Sequence, residues 1–130
     1  MSGASPITPL DGDSLIDLMR GDSGHWKDEA FSEYLAHGVE RPMAMLRRGR
    51  YKFNYSLGDS PALYDIETDP GEFTNLANDE AYRSVVEEMQ SRLLSHWDPV
   101  EIEGRVLKSQ RERVLIDRTT NGDWKRFREL

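Results

Sequence analysis

The 130-residue chain contains no cysteine. That excludes disulfides, thiol nucleophiles and thiolate zinc sites. No apolar run approaches the roughly 20 residues that span a bilayer, so no membrane partner is expected. The opening MSGASPITPLDGDS lacks the basic and apolar stretches of a secretory signal, and a cytoplasmic protein is the expectation. Histidine is scarce: there are three, and none is at helical spacing from another. No HExxH, DxDxDG, GxSxG or GxxxxGK(S/T) pattern occurs, so the usual signatures of zinc, calcium, serine-hydrolase and phosphate-loop chemistry are missing. Excess positive charge is lacking too. The 24 acidic side chains outnumber the 17 basic ones, for a net −7, which disfavours generic nucleic-acid binding.

What is present supports a folded domain. At 37% hydrophobic and 9% aromatic residues, the chain is too rich in core formers to be wholly disordered. Its length fits one domain over 1–130, long enough to bury a core. Charge is arranged in blocks. Residues 1–40 hold two basic and eight acidic groups, and residues 41–56 hold five basic and none acidic. Residues 57–103 hold two basic and twelve acidic groups, and residues 104–130 hold eight basic and four acidic. A basic segment between acidic ones either binds an anion or pairs with its own neighbours.

Periodicity gives an α+β outline. Residues 1–11, with Pro6 and Pro9, read as a loop. Leu15, Ile16, Leu18 and Met19 have helical spacing, with Asp11 or Asp13 as cap and Gly21 as stop. Ala30–Ala36 reads as a strand, with Phe31 and Leu35 on one face. Met43–Arg47 and Tyr51–Tyr55 form the clearest hairpin, turning at Arg48-Gly49-Arg50 where glycine supplies a positive φ. Ala62–Ile66 adds a further strand, completing a small antiparallel sheet of three or four. Residues 80–97 read as a long helix: Tyr82, Val85, Val86, Met89, Leu93 and Trp97 form one apolar stripe. Asp98-Pro99 ends it. A further helix covers 100–119, with Val100, Leu107 and Val114 seven apart. That narrow, charge-flanked stripe suits packing against another helix or subunit. Asn121-Gly122 closes it.

Polar chemistry is thin. In the loop 36–41, His37, Glu40 and Arg41 are candidates to touch an anionic substrate at a site rim, with an exposed polar loop as the alternative. The cations Arg47, Arg48, Arg50 and Lys52 interleave with Tyr51, Phe53 and Tyr55. That pattern suits single-stranded nucleic acid, or equally a hairpin whose aromatics face the helix while its cations face water. The residues alone describe a module without a self-contained catalytic set.

Two motifs in order carry a resemblance. The hairpin Arg48 to Phe53, with Arg48, Gly49, Tyr51 and Lys52, is followed by Leu63-Tyr64-Asp65-Ile66, then Asp69-Pro70, Glu72 and Asn75-Leu76-Ala77, then the amphipathic helix. This run resembles the C-terminal subdomain of the sulfatase family, in the alkaline-phosphatase-like superfamily. Pro9 to Leu15 and Ala30 to Tyr34 fit it too. Ser109-Gln110-Arg111 with Arg113 is similar to a helix of choline-sulfatases. The resemblance covers about residues 7–122.

It implies a core over about 28–98 and a helical extension over about 99–122. It implies a parent enzyme that hydrolyses sulfate esters with formylglycine and calcium. The formylglycine arises in a Cys/Ser-x-Pro-x-Arg motif, and this chain has neither cysteine nor Ser-x-Pro-x-Arg. The catalytic N-terminal domain is therefore expected to be absent, with no catalytic residue, metal ligand or cofactor in the chain itself. The motif residues Arg48, Gly49, Tyr51, Lys52, Tyr64, Asp65, Asp69, Pro70, Glu72, Asn75 and Leu76 read as structural: Tyr64 and Ile66 face one way and Asp65 the other, Glu72 caps a turn, and Asn75 bonds loop backbone.

The expected function is a sulfatase fragment, choline-sulfatase-like and inactive alone. The alternative is a stand-alone interaction or oligomerisation module derived from a sulfatase. Expected partners are the missing catalytic domain, sulfatase subunits or a second copy. Without them, apolar surface near Leu15, Leu18 and one sheet face is expected to be exposed.

Overall fold

A computed structural model describes residues 14–24, 26–35 and 41–119. Helix α1, Ile16–Met19, is a single turn. The strands β1 (Glu29–Tyr34), β2 (Met43–Arg48), β3 (Tyr51–Ser56) and β4 (Ala62–Asp65) follow. A 3₁₀ turn, Glu80–Tyr82, leads into α2 (Arg83–His96), and α3 (Pro99–Thr119) completes the described chain. The fold is α+β.

The four strands form an antiparallel meander in the order β1-β2-β3-β4. The hairpin aligns Arg48 with Tyr51, so Gly49 and Arg50 make a two-residue turn. Gly49 has φ 55°, a conformation that costs glycine little. The register puts Phe31, Leu46, Phe53 and Leu63 in one row across the sheet.

Helix α2 lies over that row. Ala44, Leu46, Phe53 and Leu63 from the sheet meet Met89, Leu93 and Trp97 to form the buried core. Tyr82, Val85 and Val86 are half-buried beside it, so the stripe read from the sequence is the stripe that packs. Two edge-on aromatic pairs close the flanks: Tyr51 with Tyr82 at 6.3 Å and Tyr55 with Trp97 at 6.2 Å. Such pairs add to what area burial alone contributes.

Three details depart from the sequence reading. The helix expected over 80–97 begins as a 3₁₀ turn because Asp79 accepts a hydrogen bond from Ala81 N at 2.9 Å and tightens the entry. The first strand starts at Glu29 and ends at Tyr34, before the expected Ala36. Its core-side residues include Glu29 and Glu33 as well as Phe31, because those carboxylates reach α2. Glu29 accepts from Arg92, and Glu33 accepts from Trp97 Nε1 at 2.9 Å. Phe31, at the sheet edge, stays 46% exposed.

Helix α3 starts at Pro99, where a missing N–H costs nothing. Asp98 accepts from Val100 N at 2.9 Å and Glu101 N at 3.1 Å. Ile102 packs on the core fringe, but every residue from Leu107 to Thr119 is exposed. The loop 1–11, the caps Asp11 and Asp13, and the Asn121-Gly122 stop lie outside the described residues.

Candidate functional site

The β2–β3 hairpin and the turn after β4 bring the signature residues together. Arg50 grips Asp65 with two parallel bonds, Nε to Oδ1 at 2.9 Å and Nη2 to Oδ2. Asp65 is 5% exposed, and a buried carboxylate needs such a partner. Its Oδ1 also accepts from Glu67 N at 3.2 Å and Thr68 N at 3.4 Å. The Arg50 guanidinium, with lesser help from Thr68 and Glu67, holds the Asp65 carboxyl down to about 2 against the opposing pull of burial. The same bond raises Arg50. Asp65 shares the core face with Leu63, and Tyr64 points to the other face.

On that other face Lys52 Nζ donates to both oxygens of Glu72 at 2.8 Å. Glu72 has φ 56°, uncommon for a residue with a side chain. The Lys52 bond and the Glu72 N to Asp69 O bond at 3.0 Å hold it there. Asp69 Oδ2 accepts from Thr74 N at 2.8 Å. Asn75 Oδ1 accepts from Leu63 N at 3.0 Å and Ala77 N at 2.9 Å, and Leu76 N donates to Leu63 O at 2.8 Å. Asn75 and Leu76 thereby close part of the outer edge of β4, a device that keeps an edge strand from pairing elsewhere. Pro70 is exposed in the same turn.

Each cation of the basic segment 41–56 has an acidic partner within the chain. Arg47 bonds Asp28, Arg48 bonds Glu88 and lies 3.8 Å from Glu29, Arg50 bonds Asp65, and Lys52 bonds Glu72. Arg41 Nη1 donates to Leu57 O at 2.9 Å, and its Nε sits 3.9 Å from Glu103. Phe53 is buried, and Tyr51 and Tyr55 lie against the α2 side. The geometry therefore favours internal pairing over a ladder of free cations and stacking rings.

Of the three rim candidates, His37 and Glu40 lie outside the described residues. Arg41 ties the β3–β4 turn to α3, and a Cβ at Gly58 (φ 84°) would run into its guanidinium. The sequence reading missed this tie, as well as the Glu29–Arg92 and Glu33–Trp97 bonds. Only the acidic and basic blocks hinted at such pairing. Among the described residues, no three His, Cys, Asp or Glu side chains gather to hold a metal ion. Asp65, the buried carboxylate of the turn, is engaged by Arg50. No described helix is long and apolar enough to cross a membrane.

Residues 1–98 match the family described as N-sulphoglucosamine sulphohydrolase, C-terminal. The chain belongs to this sulfatase family. This sulfatase C-terminal domain is 31% identical over 119 residues to a choline-sulfatase of Rhizobium meliloti (strain 1021), covering 86% of the chain and 22% of that relative. It is 36% identical over 88 residues to a delta 4,5-hexuronate-2-O-sulfatase of Bacteroides thetaiotaomicron, covering 63% of the chain and 18% of that relative. A solved 2-O GAG sulfatase superposes with a TM-score of 0.60 at 30% identity, covering 84% of this chain and 23% of that one. A phosphonate monoester hydrolase of Agrobacterium radiobacter superposes at 0.54 with 30% identity, covering 67% and 20%. The chain spans about a fifth of the length of the curated relatives it matches.

Proposed function

We propose that the chain is the C-terminal subdomain of a choline-sulfatase-like sulfuric ester hydrolase and serves it as a scaffold. The observation that supports this most is the extent of the choline-sulfatase match. At 86% of the chain, that match has to run past residue 98, where the family match stops, and into α3. The parent's reaction on this reading is hydrolysis of choline sulfate to choline and sulfate. Its formylglycine and calcium belong to the portion outside this chain, and no step is assigned to residues here. The signature side chains support a structural role because they bond one another: Arg50 with Asp65, Lys52 with Glu72, and Asn75 with β4.

The test has two arms. Purified alone, the chain is expected to release no sulfate from choline sulfate. Co-expressed with the Rhizobium meliloti choline-sulfatase lacking the fifth that this chain matches, it is expected to form a complex that does. Turnover by the chain alone overturns the scaffold role. Absence of any complex overturns the sulfatase partnership and favours the stand-alone module, for which the exposed stripe of α3, with Leu107 43% and Val114 50% exposed, is the supporting feature. Genomic sequence upstream gives an independent check: an in-frame Cys-x-Pro-x-Arg run continuous with this chain is the expected finding.

A further inference from the structure

Bonded and unbonded positions alternate along an antiparallel pair, so a strand turns every second residue's N–H and C=O to each side. The bond from Gly49 N to Asp28 O at 3.0 Å fixes the sides of β1. In the same register Ala30, Ser32 and Tyr34 turn their backbone groups to Arg47, Met45 and Met43 of β2. Glu29, Phe31 and Glu33 therefore turn theirs outward, away from the sheet. The bond from Ile66 N to Arg50 O at 2.9 Å fixes β4 likewise, and its outward residues are Leu63 and Asp65.

The two edges of the sheet differ at these outward positions. On β4, Leu63 N donates to Asn75 Oδ1, Leu63 O accepts from Leu76 N, and Asp65 O accepts from Asp69 N. On β1, no described group bonds the outward N–H and C=O of Glu29, Phe31 and Glu33. Residues 30–34 are all exposed. An open strand edge of this kind is a template for adding a further strand. A second copy of β1 fits it on two counts. First, each copy has one open edge and one closed, so joining β1 to β1 completes the sheet and growth stops at two. Second, the strand complements itself. A two-fold axis at Phe31 sets Glu29 of each copy against Glu33 of the other, and every outward N–H and C=O finds a partner. The Phe31 rings, 46% exposed in the single chain, meet at the axis as a cross-strand aromatic pair. Glu33 accepts from Trp97 Nε1 and has no described cation beside it. Glu29 is bonded by Arg92 and lies 3.8 Å from Arg48, so two guanidinium groups offset the meeting of the carboxylates.

We infer that the outer edge of β1 is a homodimer seam, at which two copies join their four-stranded sheets into one continuous antiparallel sheet. The seam is separate from the apolar stripe of α3 and needs no part of a parent enzyme.

Sedimentation of the full chain should show a monomer–dimer equilibrium that stops at two. Phe31→Pro removes an outward N–H and leaves the bonds to β2 in place, since an edge strand tolerates proline on its open side. Phe31→Lys keeps the backbone and sets two ammonium groups together at the axis. Each should weaken dimerisation by about tenfold or more, while circular dichroism of the monomer stays as in the original. Leu107→Lys and Val114→Lys on α3 should leave dimerisation unchanged. Hydrogen exchange reads the seam directly. The Phe31 and Glu33 amides should gain protection as the dimer forms, whereas the Ser32 and Tyr34 amides, turned to β2, are protected in the monomer already.

A chain that stays monomeric at every concentration overturns the proposal. So does a dimer whose Phe31 amide still exchanges freely, or one that only the α3 variants dissolve. Growth beyond two copies overturns the closed dimer, because it requires a second open edge.

Discussion

Helices α2 and α3 are both long and both carry apolar stripes, yet only one of them buries its stripe. In α2, Met89 and Leu93 are enclosed, with Trp97 just beyond. In α3, 21 residues long, Pro99 alone is buried. The difference lies in the width of the stripe. Residues 82, 85, 86, 89, 93 and 97 fall at i, i+3, i+4, i+7, i+11 and i+15 and cover a broad sector that faces the sheet. Residues 100, 107 and 114 advance by sevens, and the other apolar residues of α3, Ile102, Val106, Leu115 and Ile116, are scattered around the helix, so no broad apolar sector holds it down. Stability therefore concentrates between β2 and Trp97, and α3 hangs from its first two turns.

Core truncation offers the largest test of that contrast. Leu93 is 1% exposed and Leu107 is 43% exposed. Leu93→Ala is expected to cost about 2–5 kcal/mol in urea unfolding, and Leu107→Ala to stay within about 0.5 kcal/mol. Similar losses at the two sites would break the comparison.

Asn75 comes next. It satisfies the Leu63 amide at the edge of β4 and the Ala77 amide beyond the turn. Asn75→Ala leaves the former without a partner, for an expected loss of about 1–3 kcal/mol. Asn75→Asp keeps the accepting oxygen and should recover most of that loss. If the two variants unfold alike, the side chain acts through packing rather than through these bonds.

Acid should act on the same half of the molecule. Asp65 has a folded-state value of about 2 against an ordinary 3.8. A carboxylate depressed in this way contributes its full stability above the unfolded value, and loses it as pH falls through the folded one. The Arg50–Asp65 contribution should therefore fade between about pH 4 and pH 2. Melting curves of the original chain and Asp65→Asn should converge across that window. A gap that stays constant to pH 2 would show that the carboxylate charge is not what matters at this position.

Much of the sheet–α2 unit was legible because its side chains repeat with the period of their own element. Tyr51, Phe53 and Tyr55 alternate, and the α2 stripe is helical, so both faces followed without any long-range knowledge. The β1 face was legible only in part. Glu29 and Glu33 look like solvent residues until α2, some sixty positions later in the chain, supplies Arg92 and the Trp97 ring nitrogen. Asp65 does alternate with Tyr64 as read, but the pattern did not say that its side of β4 is the buried one, since a local pattern does not foresee the arginine that makes burial tolerable. Arg41 is the sharpest case. Its loop suggested a substrate rim, whereas its described bonds go to Leu57 and Glu103, partners fixed only when the β3–β4 turn and α3 come together.

That tie gives the smallest expected effect and the finest test of the contrast between the helices. Arg41 is 47% and Glu103 32% exposed across a 3.9 Å gap, so the ion pair is weak, within about 1 kcal/mol. The added bond to Leu57 O makes Arg41 a local anchor for the first turns of α3. Arg41→Ala should leave the global unfolding midpoint nearly unchanged. Hydrogen exchange at amides 102–107 should rise by up to about fivefold, the equivalent of that ~1 kcal/mol, while amides of α2 keep their protection. Added salt should reproduce part of the effect in the original chain, since a partly exposed pair is screened. If Arg41→Ala instead speeds exchange equally in α2 and α3, the two helices open as one unit. The anchor then belongs to the core, and the boundary drawn at Trp97 is wrong.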